Sequence, residues 1–263
     1  RSCVINPDTV AMRYWDGITL MALMFVAWVC PVQLAFFFDV QFDAMFVLNC
    51  VVDCVFIVDM AFQFFLMYRA QIGGGTRLEH RQSKIVAHYL KTWFLIDFLS
   101  VVPFDLLALL IQSSSLMRAK ALKAVRLLRL LKMLRMAKAS RTFKRLEDSL
   151  LLTTMPLTVV DLHMFILWLA LISHWVACTW ALTFSLVGED SVRWVDTFET
   201  AEMNVEKKTK DSVWKLYVAA LYFTAYTMTG VGYGDVTPVN IVERIVCIPI
   251  IFVSGFVWAC VIG

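Results

Sequence analysis

The sequence predicts an all-α protein that is embedded in a membrane. Of its 263 residues, 60% are hydrophobic, and the mean hydropathy is +0.72, which is too apolar for a soluble domain of this length. The apolar residues are grouped into six stretches. Each is long enough to cross a bilayer core of about 30 Å, which takes roughly 20 helical residues. Helices are expected because a segment surrounded by lipid must satisfy its own backbone hydrogen bonds.

The first three stretches predict the orientation of the chain. We expect crossings at about 14–38, 44–68 and 92–111. The loop 69–91 carries five basic residues and one glutamate, so the positive-inside rule predicts that it is cytoplasmic. Residues 1–13 lack the apolar core of a signal peptide. Because two crossings separate them from the cytoplasmic loop, they are predicted to be a cytoplasmic N-terminal segment.

The fourth stretch carries a basic residue at every third position from Lys120 to Lys144, with apolar pairs between them. Such a row winds slowly around an α-helix and lines up on one face of a 3₁₀ helix. Charges inside a bilayer are costly, and arginine-rich helices of this kind sense voltage. A surface amphipathic helix or a calmodulin-binding segment is the alternative, but the regular spacing does not favour it. We expect most of the gating charge on Lys123, Arg126, Arg129, Lys132 and Arg135.

Acidic residues in the neighbouring crossings are candidate partners for these cations. Phe56 and Asp59 lie three residues apart in the second crossing and share a helical face. With Asp97 of the third crossing opposite, an aromatic ring beside a carboxylate would let one cation pass at a time while blocking water. Asp53 is expected to be an outer counter-charge.

The rest of the chain is organised around a short glycine-rich stretch. We expect a linker at 147–156, a fifth crossing at 157–186 and a sixth at 239–263. The apolar segment 213–228 is too short to span, so it is predicted to be a re-entrant helix. The architecture is then a four-helix voltage-sensor domain at 14–146, followed by a pore domain whose two crossings enclose the re-entrant helix.

The glycine-rich stretch, Thr229–Asp235, reads Thr-Gly-Val-Gly-Tyr-Gly-Asp. Glycine enters the φ > 0 region at no steric cost, so alternate glycines allow a strand to point its carbonyls to one side. A ring of such carbonyls can replace the water shell of K⁺. A glycine-rich turn is the plainer alternative. The predicted ion-binding residues are Thr229, Gly230, Val231, Gly232, Tyr233, Gly234 and Asp235, and Tyr226 could support them from the re-entrant helix.

Other site chemistries are not favoured. Six of the seven cysteines fall inside apolar stretches and none forms a CxxC pair, so they are interpreted as buried small hydrophobes. The four histidines are scattered, and no nucleophile constellation is present. We expect no enzyme activity, no nucleic-acid partner, no cofactor in this chain and no metal other than K⁺.

Five segments together carry a family resemblance: Val51–Asp59, Phe94–Asp105, Ser173–Trp180, Ala220–Thr224 and Trp258-Ala259. In them the chain resembles voltage-gated-like cation channels with six crossings per subunit. The resemblance is narrower to the branch that carries a cytoplasmic cyclic-nucleotide-binding domain. That branch comprises the ether-à-go-go, hyperpolarization-activated, cyclic-nucleotide-gated and plant inward-rectifying K⁺ channels.

The resemblance implies a homotetramer, in which three identical subunits join this one around a central pore in the plasma membrane. It also implies that a cyclic nucleotide could bind outside this chain. The chain departs from the family pattern at three positions. Gly230 replaces the usual filter threonine, Asn49 stands where some relatives have a further acid, and Ser254 stands at the usual hinge glycine.

These observations predict a voltage-sensing, K⁺-selective channel subunit. Two alternatives stay open. The first is a weakly selective K⁺/Na⁺ channel of the hyperpolarization-activated type, because Gly230 removes a hydroxyl ligand from the innermost site. The second is a non-conducting regulatory subunit.

Overall fold

The computed structural model describes residues 4–37, 43–72, 75–102, 129–137, 157–187, 191–197 and 210–262. The α-helices are α1 (Val10–Phe36), α2 (Ala44–Gln63), α3 (Gln82–Thr92), α4 (Phe94–Val101), α5 (Leu157–Leu186), α6 (Trp194–Thr197), α7 (Lys210–Met228) and α8 (Ile241–Ile262). A 3₁₀ segment covers Arg129–Arg135, and strands β1 (Tyr68–Ile72) and β2 (Gly75–Glu79) form an antiparallel hairpin.

Four helices in these ranges are long and apolar enough to cross a membrane: Val10–Phe36, Ala44–Gln63, Leu162–Leu186 and Ile241–Cys260. They coincide with the first, second, fifth and sixth predicted crossings. Of the predicted third crossing, residues 92–102 are described and include α4, whereas of the fourth stretch only residues 129–137 are described. The helical class of the spanning part is confirmed.

The loop between the second and third crossings differs from the prediction. Helix α2 ends at Gln63, five residues before the predicted end, where the N–H of Phe64 turns back to the Ala61 carbonyl at 3.3 Å. The chain then forms the β1–β2 hairpin and the amphipathic helix α3. In the sequence, two glycines separate the strands, a spacing that is typical of a tight hairpin.

The chain divides into two compact units. The first comprises Arg1–Cys30 and Asp39–Met155, and the second comprises Pro31–Phe38 and Pro156–Gly263. Helix α1 therefore contributes to both units, which the sequence did not indicate. Whether these units act as a sensor and a pore stays a prediction.

The core of the first unit lies between α1, α2 and α4. Leu23 and Val26 of α1 pack with Val52 and Phe56 of α2, and Met133 of the 3₁₀ segment lies against the same cluster. Charged residues are buried beside this apolar cluster, so the unit must supply them with partners.

In the second unit, the core lies where α5 packs against α7. The Trp180 ring stacks on Phe223 at 4.3 Å, and the alanines Ala177 and Ala220 are fully buried in the same cluster. Small residues let the two helices approach closely, as is common where helices pack in lipid. The glycine-rich stretch therefore follows directly after a helix, α7, that is packed into the core of this unit.

Candidate functional sites

The glycine-rich stretch follows α7 with an alternating backbone. Gly230, Gly232 and Gly234 have φ values of +74°, +62° and +78°. Val231 and Tyr233 separate them in the chain. The alternation predicted for Gly232 and Gly234 is confirmed, and it extends one step earlier to Gly230.

Gly230 is the position where the family usually has threonine. A Cβ atom added there would meet no other atom within 4 Å, so space is not limiting. The constraint is the backbone, because a β-branched residue at φ > 0 is a genuine outlier. The departure from the family pattern therefore accompanies a left-handed residue at the beginning of the stretch.

Hydrogen bonds join the beginning of this stretch to the end of α7. The N–H groups of Val231 and Gly232 both donate to the Tyr226 carbonyl, at 2.9 and 3.3 Å. The Thr229 hydroxyl donates to the Ala225 carbonyl at 2.8 Å, and its oxygen can still accept. Within the described part of the chain, no hydrogen bond is accepted by the carbonyl oxygens of residues 230–233. These oxygens are therefore available to a ligand.

Tyrosine side chains support the stretch from behind. The buried Tyr226 hydroxyl donates to the Val236 carbonyl at 2.7 Å. The Tyr226 ring meets Tyr233 edge-on at 5.8 Å, and the Tyr222 ring lies parallel to Tyr233 at 6.2 Å. The expected support from Tyr226 is confirmed as geometry, and Tyr222 adds to it.

A buried carboxylate connects the segment after this stretch to α6. Glu243 is fully buried and accepts the Trp194 N–H at 3.0 Å and the Val239 N–H at 2.9 Å. Asn240 caps the first turn of α8 by accepting the Glu243 N–H at 2.9 Å. Sequence reasoning missed Glu243. The Asn-x-x-Glu spacing before an apolar run, which resembles a capping box, was the available signal.

Within α6, Asp196 accepts hydrogen bonds from the Arg193 backbone at 2.8 Å and the Arg193 side chain at 3.3 Å. Partial burial acts to raise the pKa of Asp196, but the bonds and charge of Arg193 outweigh it, and the pKa is lowered. This carboxylate therefore stays ionised at neutral pH. Its contribution to stability would be lost only as the pH falls below its ordinary value near 3.8.

In the first unit, the basic row is 3₁₀-helical over Arg129–Arg135. Of the two geometries considered for the row, this is the one that aligns every third residue on one face. Lys132 and Arg135 are both buried. Lys123 and Arg126 lie outside the described residues, and of Arg129 the structure describes the backbone only.

The two buried cations share one carboxylate. The Arg135 guanidinium lies 2.8 Å from Asp53 Oδ1, and Lys132 Nζ lies 3.3 Å from Asp53 Oδ2. Arg135 also donates twice to the Ser100 carbonyl, at 2.9 and 2.6 Å. Buried charges require pairing and hydrogen bonds, and both are present here. Asp53 is thus the partner of two buried cations in this conformation.

Phe56 lies next to this cluster. Its ring is buried, and the Arg135 guanidinium carbon is 4.6 Å from the ring centroid, within range of a cation–π contact. Asp53, Phe56, Lys132 and Arg135 are therefore brought together as one site. The role of Phe56 as a plug stays a prediction.

Asp59 and Asp97 are both buried and both accept a hydrogen bond from an aromatic side chain. Trp15 Nε1 donates to Asp59 Oδ1 at 3.1 Å, and the Tyr89 hydroxyl donates to Asp97 Oδ2 at 2.7 Å. Neither donor was identified from the sequence. The predicted roles of Asp59 and Asp97 as partners of cations that pass Phe56 stay predictions.

Comparison with known proteins places these sites in a family. A family model described as "Ion transport protein" matches residues 12–263. The rat voltage-gated inwardly rectifying potassium channel KCNH6 is 26% identical over 268 residues, which cover 95% of this chain and 26% of the relative. The Arabidopsis thaliana potassium channel AKT2/3 is 29% identical over 243 residues, covering 92% of this chain and 28% of the relative.

A second Arabidopsis thaliana relative, the potassium channel GORK, is 27% identical over 244 residues, covering 92% of this chain and 28% of the relative. The chain spans about a quarter of the length of these relatives. The predicted resemblance to voltage-gated-like cation channels of this branch is confirmed, as is the expectation of a channel family rather than an enzyme. The chain belongs to the ion transport protein family.

Proposed function

We propose that this chain is part of a voltage-sensing, K⁺-selective channel subunit and that four identical subunits form one pore. One observation carries the proposal. Three left-handed glycines alternate along residues 230–234, and the carbonyl oxygens of residues 230–233 accept no hydrogen bond within the described part of the chain. Carbonyl oxygens arranged in rings are what a dehydrated K⁺ ion requires.

Geometry supports the tetramer. One chain supplies one strand of carbonyls, whereas a ring around an ion needs several strands. Val231 and Tyr233 are exposed in the isolated chain, as expected of residues that contact neighbouring subunits. Three further identical subunits would complete the ring.

Voltage sensing is supported by the buried basic residues. Moving one elementary charge through 100 mV is worth about 2.3 kcal/mol. Three or four charges in each of four subunits would then provide tens of kcal/mol for opening a gate. Lys132 and Arg135 share Asp53 in a buried cluster. Motion of the 3₁₀ segment along its axis would carry the next cation to the same carboxylate.

The remaining parts of the proposal concern the whole protein. We expect a multi-pass plasma-membrane protein with a cytoplasmic N-terminus and a cyclic-nucleotide-binding type of domain outside this chain. The names of the relatives, which are potassium channels, support K⁺ as the permeant ion.

Current recordings from the full-length protein in oocytes test this proposal. With external Na⁺ replaced stepwise by K⁺, the reversal potential should move by about 59 mV for each tenfold change in K⁺. A reversal potential that is indifferent to K⁺ would refute K⁺ selectivity. Surface protein without current would instead support a regulatory subunit.

Gly230 favours a second candidate, a weakly selective K⁺/Na⁺ channel. Glycine offers no hydroxyl to the innermost site, so this site would have fewer ligands. The same recordings distinguish the candidates, because a weakly selective pore would shift by much less than the full K⁺ slope.

A further inference from the structure

We propose that Trp15 and Tyr89 are positioning residues of the voltage sensor. They would hold the buried carboxylates of Asp59 and Asp97 by neutral hydrogen bonds while sensor cations pass. This inference rests on the proposed voltage-sensing function and adds two residues to its machinery.

The first donor comes from α1. Trp15 Nε1 donates to Asp59 Oδ1 at 3.1 Å, and the Trp15 ring meets Phe62 edge-on at 5.0 Å. Phe62 and Asp59 are three residues apart on α2, so the ring contact and the hydrogen bond act on the same helix. The indole is thereby held against α2 by both its apolar face and its polar edge.

The second donor comes from α3, the helix that the sequence did not predict. The buried Tyr89 hydroxyl donates to Asp97 Oδ2 at 2.7 Å. Its ring meets Phe64 edge-on at 5.0 Å and Phe94 at 5.9 Å. These contacts fix the hydroxyl in place, because a packed aromatic ring has few rotamers to exchange between.

The positions along α2 place Asp59 next on the path of the cations. Asp53 and Asp59 lie three residues before and three residues after Phe56. Six helical residues span about 9 Å. Lys132 and Arg135 pair with Asp53 in this conformation. A cation that leaves Asp53 and passes Phe56 would therefore next approach the turn that carries Asp59.

Neutral donors matter most when no cation is docked. A buried carboxylate is costly unless it is paired or hydrogen-bonded. A docked cation meets this need, but a cation in transit between sites does not. A fixed N–H or O–H donor stabilises the carboxylate most when no cation is docked, so it lowers the free energy of the transit state more than that of the docked state and reduces the barrier to passage. Unlike a lysine or arginine, it adds no charge that would repel the moving cations.

Gating currents from the full-length protein, recorded with ion flow blocked, test this inference. Trp15→Phe and Tyr89→Phe each remove one donor and keep an aromatic ring. We expect the time constant of charge movement to lengthen about tenfold in each variant, equivalent to about 1.4 kcal/mol. The total charge moved per channel should not change.

Two matched controls make the same chemical changes elsewhere. Tyr68→Phe removes a hydroxyl that makes no hydrogen bond within the described residues, from a ring stacked on His88 at 4.2 Å. Trp168→Phe removes an indole N–H from a half-exposed side chain of α5. Both controls should keep the original time constant within twofold.

A double variant separates positioning from general structural support. In an Asp97→Asn background there is no charge for the hydroxyl to stabilise, so Tyr89→Phe should change the time constant by less than twofold. Equal slowing with and without the Asp97 charge would overturn the inference for Tyr89. Such a coupling measurement is informative because the two side chains are in contact.

The outcomes also distinguish this inference from the proposed function. Absence of charge movement in the unsubstituted protein would overturn voltage sensing and the inference with it. Normal charge movement that neither variant slows would overturn the inference alone. If Trp15→Phe does not reach the cell surface, Tyr89→Phe decides, since it removes a single oxygen atom.

Discussion

The hydroxyl of Tyr226 is expected to control how long the conducting form of the glycine-rich stretch lasts. In Tyr226→Phe, the Val236 carbonyl loses the donor that lies 2.7 Å away. Both residues are buried, so water does not readily replace the lost bond. The ring contacts with Tyr222 and Phe223, at 5.1 and 5.5 Å, do not involve the hydroxyl and should persist.

The size of the effect follows from the environment of that carbonyl. Leaving one buried polar group unsatisfied costs about 1–3 kcal/mol. Each 1.4 kcal/mol is a factor of about ten in an equilibrium constant. We therefore expect the equilibrium between the intact and the collapsed stretch to shift by about 5- to 140-fold towards collapse.

The assay is the decay of K⁺ current during a sustained opening step, with single-channel open time as a second measure. Raising external K⁺ should partly restore the current, because an ion that binds only the intact form stabilises it by mass action. Tyr14→Phe, at an exposed tyrosine of α1, is the matched control. Current decay within twofold of the unsubstituted protein at low external K⁺ would refute the reasoning.

Three further predictions follow from the other contacts. Asp53→Asn leaves Lys132 and Arg135 without their shared negative charge. Because breaking a buried ion pair costs about 3–5 kcal/mol, we expect the midpoint of the charge–voltage curve to move by tens of millivolts in gating-current records. An unmoved midpoint would contradict this expectation. Gly230→Asn should retain current because asparagine tolerates φ > 0, whereas Gly230→Val should abolish the current because valine does not. Equal currents from both variants at matched surface expression would refute the argument from backbone conformation. Glu243→Gln should lower the free energy of unfolding by about 1.5–3 kcal/mol, because one of two backbone N–H donors loses its acceptor. Asp196→Asn, at a more exposed carboxylate, should cost less than about 1 kcal/mol. Thermal unfolding in detergent measures both variants, and equal losses would contradict a structural role of the buried Glu243 carboxylate.

The sequence predicted the glycine-rich stretch well because its geometry is local. Alternate glycines allow every second residue to adopt φ > 0 at no steric cost. At Gly230 the prediction was incomplete. The position was interpreted as the loss of a threonine ligand, whereas the structure also gives it a φ of +74°. A departure from a family pattern does not reveal whether a side chain was lost or a backbone conformation was gained.

The buried cluster of cations and carboxylate was predictable only in part, because its members are distant in sequence. Regular spacing identified Lys132 and Arg135, and acidity identified Asp53. The choice among three carboxylates required the fold, since Asp53 is 79 residues from Lys132. The carbonyl of Ser100 accepts two bonds from Arg135. A backbone acceptor carries no sequence signature, so no inspection of residue types could have found it.

A common arrangement occurs in both units, although different helices supply the tyrosine in each. Tyr226 donates to the carbonyl of Val236 in one, and Tyr89 donates to the carboxylate of Asp97 in the other. In each case a helix supplies a tyrosine whose ring is packed among other aromatic side chains. This packing holds the neutral hydroxyl donor in place beside the carbonyl or carboxylate that accepts its hydrogen bond. A lysine could make the same bonds, but its charge would compete with the ions that the proposed function moves. Replacing tyrosine by phenylalanine preserves the ring and removes the donor. If ring packing alone were sufficient, neither substitution would alter the kinetics of its own unit.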